Sequence, residues 1–305
     1  MIDVENLTRK FGDLTAVDNL TFHINEGEVF GFLGPNGAGK TTTMRMLSCL
    51  ISKTSGEARI AGYDVSDEAD SLKIRKIIGL LPENVGLYDD LTAYKNLDFY
   101  GKLYECSETQ RKENIEHFLK LLGLWDKRDV TVGTFSKGMK QKLTVARALI
   151  HDPEILFLDE PTANLDPESS KIVRDFILDL KKEKKTIFLN THNLDEAQRI
   201  CDKIGIFNTK LMAIGSPEEL EGSIWGNKTV IQLKEVNNKI LEAINNLSIG
   251  NMVHDNNKLT IDVVDPEKEN PIIVDAIVNA GGQVQYVNRL SPSLEEAYLK
   301  IVRGD

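Results

Sequence analysis

Cysteine is scarce in this chain, with Cys49, Cys106 and Cys201 the only three in 305 residues. They are odd in number, far apart and outside any C-x-x-C pair, so neither a disulfide framework nor a zinc site follows from them, and a reducing cytosol is expected. Long apolar runs are missing as well. No stretch approaches the ~18 apolar residues that cross a bilayer, and Met1-Ile2-Asp3-Val4-Glu5 lacks the basic and then apolar regions of a signal peptide. There is no basic excess: 37 Lys and Arg stand against 47 Asp and Glu, a net charge of −10, so global electrostatic attachment to nucleic acid or anionic lipid is not encoded. Proline is limited to 9 residues, and 41% hydrophobic with 28% charged residues is the balance of a folded globular protein, not of a disordered or collagenous one. The length suits one large domain or a domain with an appendage.

What is present is a rhythm of short apolar strands and helices. Thr15 to Ile24 reads as a strand, Asn25-Glu26-Gly27-Glu28 as a turn and Val29-Phe30-Gly31-Phe32-Leu33 as a buried strand. A glycine loop follows, and from Thr41 onward helix formers carry apolar Met44, Met46, Leu47 and Leu50. From about Leu91 to Ile150 the pattern is mainly helical, with Leu97, Tyr100, Leu103 and Tyr104 on one face and Ile115, Phe118, Leu119 and Leu122 on another, as expected of a helical insert. Strand character returns at Ile155-Leu156-Phe157-Leu158 and Thr186-Ile187-Phe188-Leu189, around a helix through Ile172 to Leu180. The exit of that helix, Lys181-Lys182-Glu183-Lys184-Lys185, is expected to be solvated. Continuous apolar strands alternating with helices predict an α/β fold with a mainly parallel, covered core sheet.

After Gly215-Ser216-Pro217 the rhythm changes to strand (Thr229 to Leu233), helix (Ile240 to Leu247), strand (Met252 to His254), strand (Leu259 to Val263), helix (Ile272 to Ala280) and strand (Gln283 to Val287). This βαββαβ order is that of a small ferredoxin-like α+β domain, closed by a helix that Ser293-Leu294-Glu295-Glu296 opens with capping-box spacing. A boundary near Leu220 gives expected domains 1–219 and 220–305, with the helical insert at about 91–150.

Gly34-Pro35-Asn36-Gly37-Ala38-Gly39-Lys40-Thr41, with Thr42 next, fits G-x-x-x-x-G-K-[ST] with a strand before it and a helix after it. Glycines let the backbone wrap a polyphosphate with inward N–H groups, the helix dipole favours the anion, Lys40 adds a positive charge and Thr41 offers a hydroxyl to Mg²⁺. A glycine-rich turn that merely caps a helix is the bland alternative, and the full motif in its context outweighs it. Such a loop needs a metal-holding acid on a neighbouring strand, which Asp159 supplies at the carboxyl end of Ile155–Leu158, the edge where ligands bind in open α/β sheets. Glu160 is then placed to polarise an attacking water; paired acids before Pro161 can also simply begin a turn. His192 ends the strand from Thr186 and points to the same edge as a γ-phosphate contact, although a lone histidine is usually structural. Ser136, in Thr134-Phe135-Ser136-Lys137-Gly138-Met139, can cap the helix that follows and leave N–H groups for a second phosphate, or be an ordinary cap.

Taken in order, these residues resemble the ATP-binding-cassette family over about residues 2–219. The family's elements are the phosphate loop, the signature-like Phe135-Ser136-Lys137-Gly138-Met139, the strand ending Asp159-Glu160, Asn164-Leu165-Asp166 and the switch His192. The resemblance implies a P-loop NTPase fold and a head-to-tail pair of cassettes, formed with a second copy or a related chain. Two ATP are held there, each between one chain's loop, with Mg²⁺, and the other chain's Ser136, Lys137 and Gly138. It also implies that Phe11 stacks on adenine, the alternative being a core aromatic, and that Asp166 lies at the dimer seam. Two positions depart from the family pattern: Lys137 stands where glycine is usual, and Glu83 stands where Gln commonly links Mg²⁺ and water to the transport subunit. The carboxylate of Glu83 can still hold metal or accept from water, but it donates no amide hydrogen bond.

The appended small domain ending Ser291-Pro292-Ser293-Leu294-Glu295-Glu296-Ala297-Tyr298-Leu299 is similar to that of the ATPase subunits of ABC-2 type multidrug, sodium and lipid exporters; a stability or dimerisation appendage is the plainer alternative. The resemblance therefore implies an ATP hydrolase, cytoplasmic and peripheral on the inner face of the membrane, that drives a separate permease docking between Glu83 and about Gly101. No nucleic-acid partner is expected. The competing expectation is a soluble cassette acting as a nucleotide-dependent scaffold in cluster assembly or on nucleic acid. Against it stand the single cassette, the lack of a long coiled coil, the lack of a cluster-binding cysteine pattern and the acidic balance. A GTPase is disfavoured by the lack of an Asn-Lys-x-Asp motif, and a small-molecule kinase leaves Ser136, Asp166 and His192 together unexplained.

Overall fold

The computed structural model describes all residues except 83–85, 164, 226, 291–292 and 304–305. Two compact units divide the chain, Met1–Ser216 and Pro217–Asp305. The first unit is built on a six-stranded sheet in the order Lys210–Gly215, Lys203–Asn208, Val29–Leu33, Thr186–Thr191, Ile155–Asp159, Ile78–Leu81. Every neighbouring pair is parallel except the edge pair Lys203–Asn208 with Lys210–Gly215. Val29–Leu33, Ile155–Asp159 and Thr186–Thr191 are buried at every position, as strands covered on both faces must be.

A second sheet, antiparallel and ordered Leu14–Ile24, Ile2–Phe11, Ser55–Ile60, Tyr63–Asp64, contributes Ile2, Leu7, Leu20 and Phe22 to the same buried cluster as Phe30, Phe32, Phe157, Phe188 and Phe207 of the central sheet. Phe22 stacks on Phe30 at 5.1 Å between ring centroids, so aromatic packing joins the two sheets, while Phe32 stacks on Phe207 at 4.4 Å within the central sheet. Helix Lys40–Leu47 adds Met44, Met46 and Leu47 to this core.

Helices Ala93–Leu103, Glu108–Leu121 and Lys137–Leu149 occupy the helical stretch, and each is N-capped by a hydroxyl that accepts a backbone N–H: Thr92 from Lys95, Ser107 from Gln110, Ser136 from Met139. Ile115, Phe118, Leu119 and Leu122 are buried as their spacing predicts. The other expected face is only half realised, because Leu97 is buried while Leu103 is 62% exposed. The helix stops at Leu103, and Tyr104 turns aside to stack flat on His151 at 3.7 Å. Leu50 also differs from expectation. The phosphate-loop helix ends at Leu47, Cys49 takes a left-handed φ of 56°, and Leu50 is left exposed. The lysine run is not simply solvated either: Lys181 pairs with Asp202 and Lys185 with Asp152, so this helix exit is fixed to the neighbouring chain segments.

The second unit carries strands Asn227–Leu233, Met252–Asp255, Lys258–Val263 and Val284–Leu290, with helices Asn238–Asn245 and Pro266–Asn279 between them. In space the strands lie second, third, first, fourth, and all pairs are antiparallel. Ile231, Leu233, Ile240, Ile244, Leu259, Ile261, Val263, Ile273 and Ile277 form a core of its own. Helix Leu294–Arg303 is opened by a reciprocal box in which the Ser293 hydroxyl accepts from the Glu296 N–H at 3.3 Å and the Glu296 carboxylate from the Ser293 N–H at 3.2 Å.

Candidate functional site

Parallel register decides where the chemistry gathers. Leu33 is opposite Thr191, and Asp159 is opposite Asn190, so the carboxyl ends of three buried strands open on one edge. Residues 34–39 connect the first of these strands to helix Lys40–Leu47. Two glycines there are forced by space: a Cβ on Gly34 would lie 2.1 Å from the Phe207 carbonyl oxygen, and one on Gly39 would lie 2.2 Å from that of Ala16. Gly39 also has φ 101°, a backbone conformation that side-chain-bearing residues rarely adopt.

Lys40 is folded back on this loop, its ammonium donating to the Gly34 carbonyl at 2.5 Å and the Pro35 carbonyl at 3.0 Å. Burial lowers its pKa, and the nearby carboxylates of Glu160 and Asp159 oppose that shift. Asp159, 3% exposed, is gripped at both oxygens: Thr41 Oγ1 donates to Oδ2 at 3.0 Å and Asn190 Nδ2 to Oδ1 at 3.1 Å. Glu160 leaves the strand with a φ of 51° while its N–H donates to the Asn190 carbonyl at 3.0 Å. That left-handed turn swings its side chain to the edge, where Oε1 meets His192 Nδ1 at 2.8 Å. A non-glycine residue held in this region is strained by about 1–3 kcal/mol.

A cavity of about 440 Å³ opens over these groups, lined by Phe11, Leu14 and Ala16 at one end, by residues 36–42 along the loop, and by Asp159 and Glu160 at the other. Phe11 is 45% exposed, with the Arg9 guanidinium 4.4 Å from its ring centroid, so it is a surface aromatic and not core. The Thr41 hydroxyl and the Asp159 carboxylate are hard oxygen donors of the kind Mg²⁺ takes. Among the described residues no cluster of three or more His, Cys, Asp or Glu could hold a metal.

Ser136, Lys137, Gly138 and Asp166 do not line that cavity. Ser136 Oγ is engaged as the N-cap, accepting from Met139 N–H at 3.2 Å, and Lys137 is exposed at the first helical position. Gly138 faces Ser169 and Asp166: a Cβ added to it would lie 2.9 Å from Ser169 Oγ and 3.6 Å from Asp166 Oδ2. Asp166 caps helix Pro167–Lys182 by accepting from Ser169 N–H at 2.9 Å, which holds its carboxyl below the usual range. Gly138 and Asp166 therefore adjoin each other. Glu83 and Asn164 lie outside the described residues. Sequence reasoning missed Asn190, Arg9 and Glu196; for Asn190 the signal was a polar residue inside an otherwise apolar buried strand.

A glycine loop between a buried parallel strand and a helix, with a carboxylate on the next strand but one reaching the loop's threonine, defines a P-loop nucleoside triphosphatase. A family model described as ABC transporter matches residues 17–163. The linearmycin resistance ATP-binding protein LnrL of Bacillus subtilis (strain 168) is 34% identical over 99% of this chain and 98% of its own length. The chain belongs to the ABC transporter family, as an ATP-binding and ATP-hydrolysing subunit. It is also 32% identical to the daunorubicin resistance ATP-binding protein DrrA3 of Streptomyces coeruleorubidus over 100% of this chain and 96% of that one. Among solved structures, an ATP-binding subunit of an ABC transporter superposes with a TM-score of 0.67 at 28% identity, covering 73% of this chain and 92% of that one. A dimeric ATP-binding cassette in a post-hydrolysis state with ADP and Pi gives 0.65 at 27% identity, over 71% of this chain and 98% of that one. The mixed six-stranded sheet with its parallel core is thus that of an ABC cassette. No helix among the described residues is long and apolar enough to cross a membrane.

Proposed function

We propose that this chain energises the separate permease of an ABC-2 type exporter by closing head to tail with a second copy or a related cassette on two Mg·ATP and reopening after hydrolysis. The observation that carries the proposal is the convergence of the phosphate loop, the Thr41–Asp159 contact and Glu160, itself paired with His192, on one cavity. In this reading residues 1–219 are the ATP-binding domain and residues 220–305 an accessory domain. The resistance names of two relatives matched over nearly their whole length support the exporter side, and no finding favours the scaffold alternative.

Residues 34–42 wrap the phosphates with backbone N–H groups while Phe11 presents its exposed face to adenine. Lys40 leaves the Gly34 and Pro35 carbonyls to offset phosphate charge. Thr41 and Asp159 are the residues that would hold Mg²⁺, which when bound neutralises developing charge on the transferred group; Glu83 is a further candidate by resemblance. Glu160 takes the proton of the attacking water, and His192, already 2.8 Å from it, orients that carboxylate and senses the γ-phosphate. Ser136, Lys137 and Gly138 complete the partner's nucleotide site, with Asp166 at the seam beside them. An apolar cavity of about 370 Å³, lined by Leu50, Ile78, Leu80, Tyr100, Leu103 and Tyr104 among others, adjoins the surface expected to meet the permease and supports docking there. Such attachment would hold the chain at the inner face of the membrane.

Glu160→Gln is the test. It keeps the size and one acceptor of the side chain but removes the base, so ATP binding should persist while turnover falls at least about 100-fold. Unchanged hydrolysis would remove Glu160 from its role and with it the site as described.

A further inference from the structure

Glu196 takes no part in the roles above, yet it is the most conspicuous acid in the unit. It sits in helix Leu194–Ile200 and is 0% exposed. Its two oxygens each accept one hydroxyl, Thr162 Oγ1 to Oε1 and Thr191 Oγ1 to Oε2, both at 2.8 Å. Thr162 comes two residues after Glu160, and Thr191 immediately precedes His192. The surroundings tighten the link: Thr191 Oγ1 also accepts from the Asn193 N–H at 3.0 Å, Asn193 Oδ1 accepts from the Glu196 N–H at 3.2 Å, and Gln141 Nε2 donates to the Pro161 carbonyl at 3.1 Å.

Stability does not explain an acid here. Burial pushes the Glu196 carboxyl up, the two hydroxyls oppose that shift, and the charge of Glu160 adds to it. A buried carboxylate held by only two hydroxyls is costly, and an apolar residue of similar volume would serve the core better. What the carboxylate does provide is a rigid two-ended acceptor that ties the side chains of the two segments together, in addition to the backbone bond from the Glu160 N–H to the Asn190 carbonyl.

We propose that Glu196 is a positioning residue for ATP hydrolysis: by holding Thr162 and Thr191 on its two oxygens, it fixes the spacing between the segments that carry Glu160 and His192. It touches neither nucleotide nor water, and acts by keeping the acid–histidine pair in register while the cassettes close and reopen. This inference rests on the assignment of Glu160 and His192 in the proposed function.

The test compares Glu196→Gln and Glu196→Ala in the full chain, reading kcat, KM for ATP and melting temperature. The amide keeps one acceptor oxygen and offers an N–H to the other threonine, whose hydroxyl can accept, so both links survive and kcat stays within about 3-fold of the parent. Alanine removes both links. A displacement of the reacting groups on the order of an ångström costs about 100-fold, so kcat should fall roughly 10- to 100-fold with KM within about 2-fold. An unchanged kcat in Glu196→Ala, an equal loss in Glu196→Gln, or a kcat loss that follows a fall in melting temperature in both variants would each overturn the proposal. Should Glu196→Ala not fold, Thr162→Val and Thr191→Val each cut one link; both should lower kcat with KM preserved, and normal kcat in both overturns it. Glu160→Gln separates the two levels. If it still hydrolyses ATP, the site assignment fails; if it is inactive while Glu196→Ala turns over normally, only the positioning role fails.

Discussion

Asn190→Leu isolates how Asp159, the proposed Mg²⁺ ligand, is aimed. Asn190 is fully buried, and its amide N–H₂ donates to Asp159 Oδ1 at 3.1 Å, on the side of the carboxylate opposite the Thr41 hydroxyl. Leucine keeps the branched, four-heavy-atom outline of the side chain but has bulkier ends, so the substitution preserves shape at some cost in packing. One hydrogen bond to a charged group is worth about 1.5–3 kcal/mol, and losing the group that orients a metal ligand typically lowers metal affinity about 10- to 100-fold. The free Mg²⁺ that half-saturates hydrolysis, buffered independently of total ATP, should therefore rise about 10- to 100-fold. Folding stability is a separate readout. Asn190 Oδ1 is buried with no hydrogen-bond partner, so leucine removes an orphaned acceptor, worth about 1–3 kcal/mol, while stripping a donor from Asp159. These two changes oppose each other, the bulkier methyl ends add about 1–3 kcal/mol of overpacking, and the melting temperature of the nucleotide-free protein should fall by no more than about 10 °C. A normal Mg²⁺ midpoint in a folded Asn190→Leu protein would refute this account of how Asp159 is held.

Gly39→Ala should abolish ATP binding measured by titration calorimetry, because its Cβ would lie 2.2 Å from a backbone oxygen at a φ of 101°; binding within about 10-fold of the parent would show that the loop yields to backbone shifts smaller than this close approach implies. His151 sets an acid limit on stability. Burial lowers its pKa from 6.5 to about 4, so the folded state binds fewer protons than the unfolded state between those values. The stability it contributes is complete above pH 6.5 and is lost as pH falls toward 4. His151→Phe keeps the stacking on Tyr104 and removes the titration, so its melting temperature should depend less on pH across that window, and an unchanged pH slope would rule out His151 as the source.

The site was legible in the sequence where chemistry is written in contiguous residues and strand ends. Gly34 to Thr41 carries its own glycines, and once parallel strands were expected, Asp159, Glu160 and His192 had to share an edge. Asn190 and Glu196 were not legible because their partners are remote in sequence. Within the run Thr186 to Thr191, Asn190 reads as one more strand residue. Asn193-Leu194-Asp195-Glu196 even has capping-box spacing, which would send the Glu196 carboxylate back to the Asn193 N–H. Instead Thr191 Oγ1 takes that N–H, and the freed carboxylate reaches Thr162. Leu50 and Tyr104 were misplaced for a related reason: periodicity marks an apolar face but not where a helix stops, and Cys49 and Glu105, both at positive φ, end the two helices by backbone turns that no side-chain pattern announces.

The charges around Lys40 also set an order of events. One ammonium faces two carboxylates, Glu160 and Asp159, both close enough to raise its proton affinity against the effect of burial, and the helix N-terminus adds only about half a positive charge. A site so nearly balanced does not attract a bare triphosphate strongly, since Asp159 and Glu160 line the same cavity as the loop. In the proposed reading, Thr41 and Asp159 would hold the divalent cation that accompanies ATP, whose charge would let the acidic edge and the phosphates share that space. Lys40, bonded to the Gly34 and Pro35 carbonyls, would be displaced from them by an anion. The same balance extends the Glu160→Gln experiment. Neutralising Glu160 removes repulsion toward the γ-phosphate as well as the base, so that variant should hold ATP more tightly than the parent and not merely as well; weaker binding would mean that Glu160 supports the nucleotide through contacts instead of opposing it through charge.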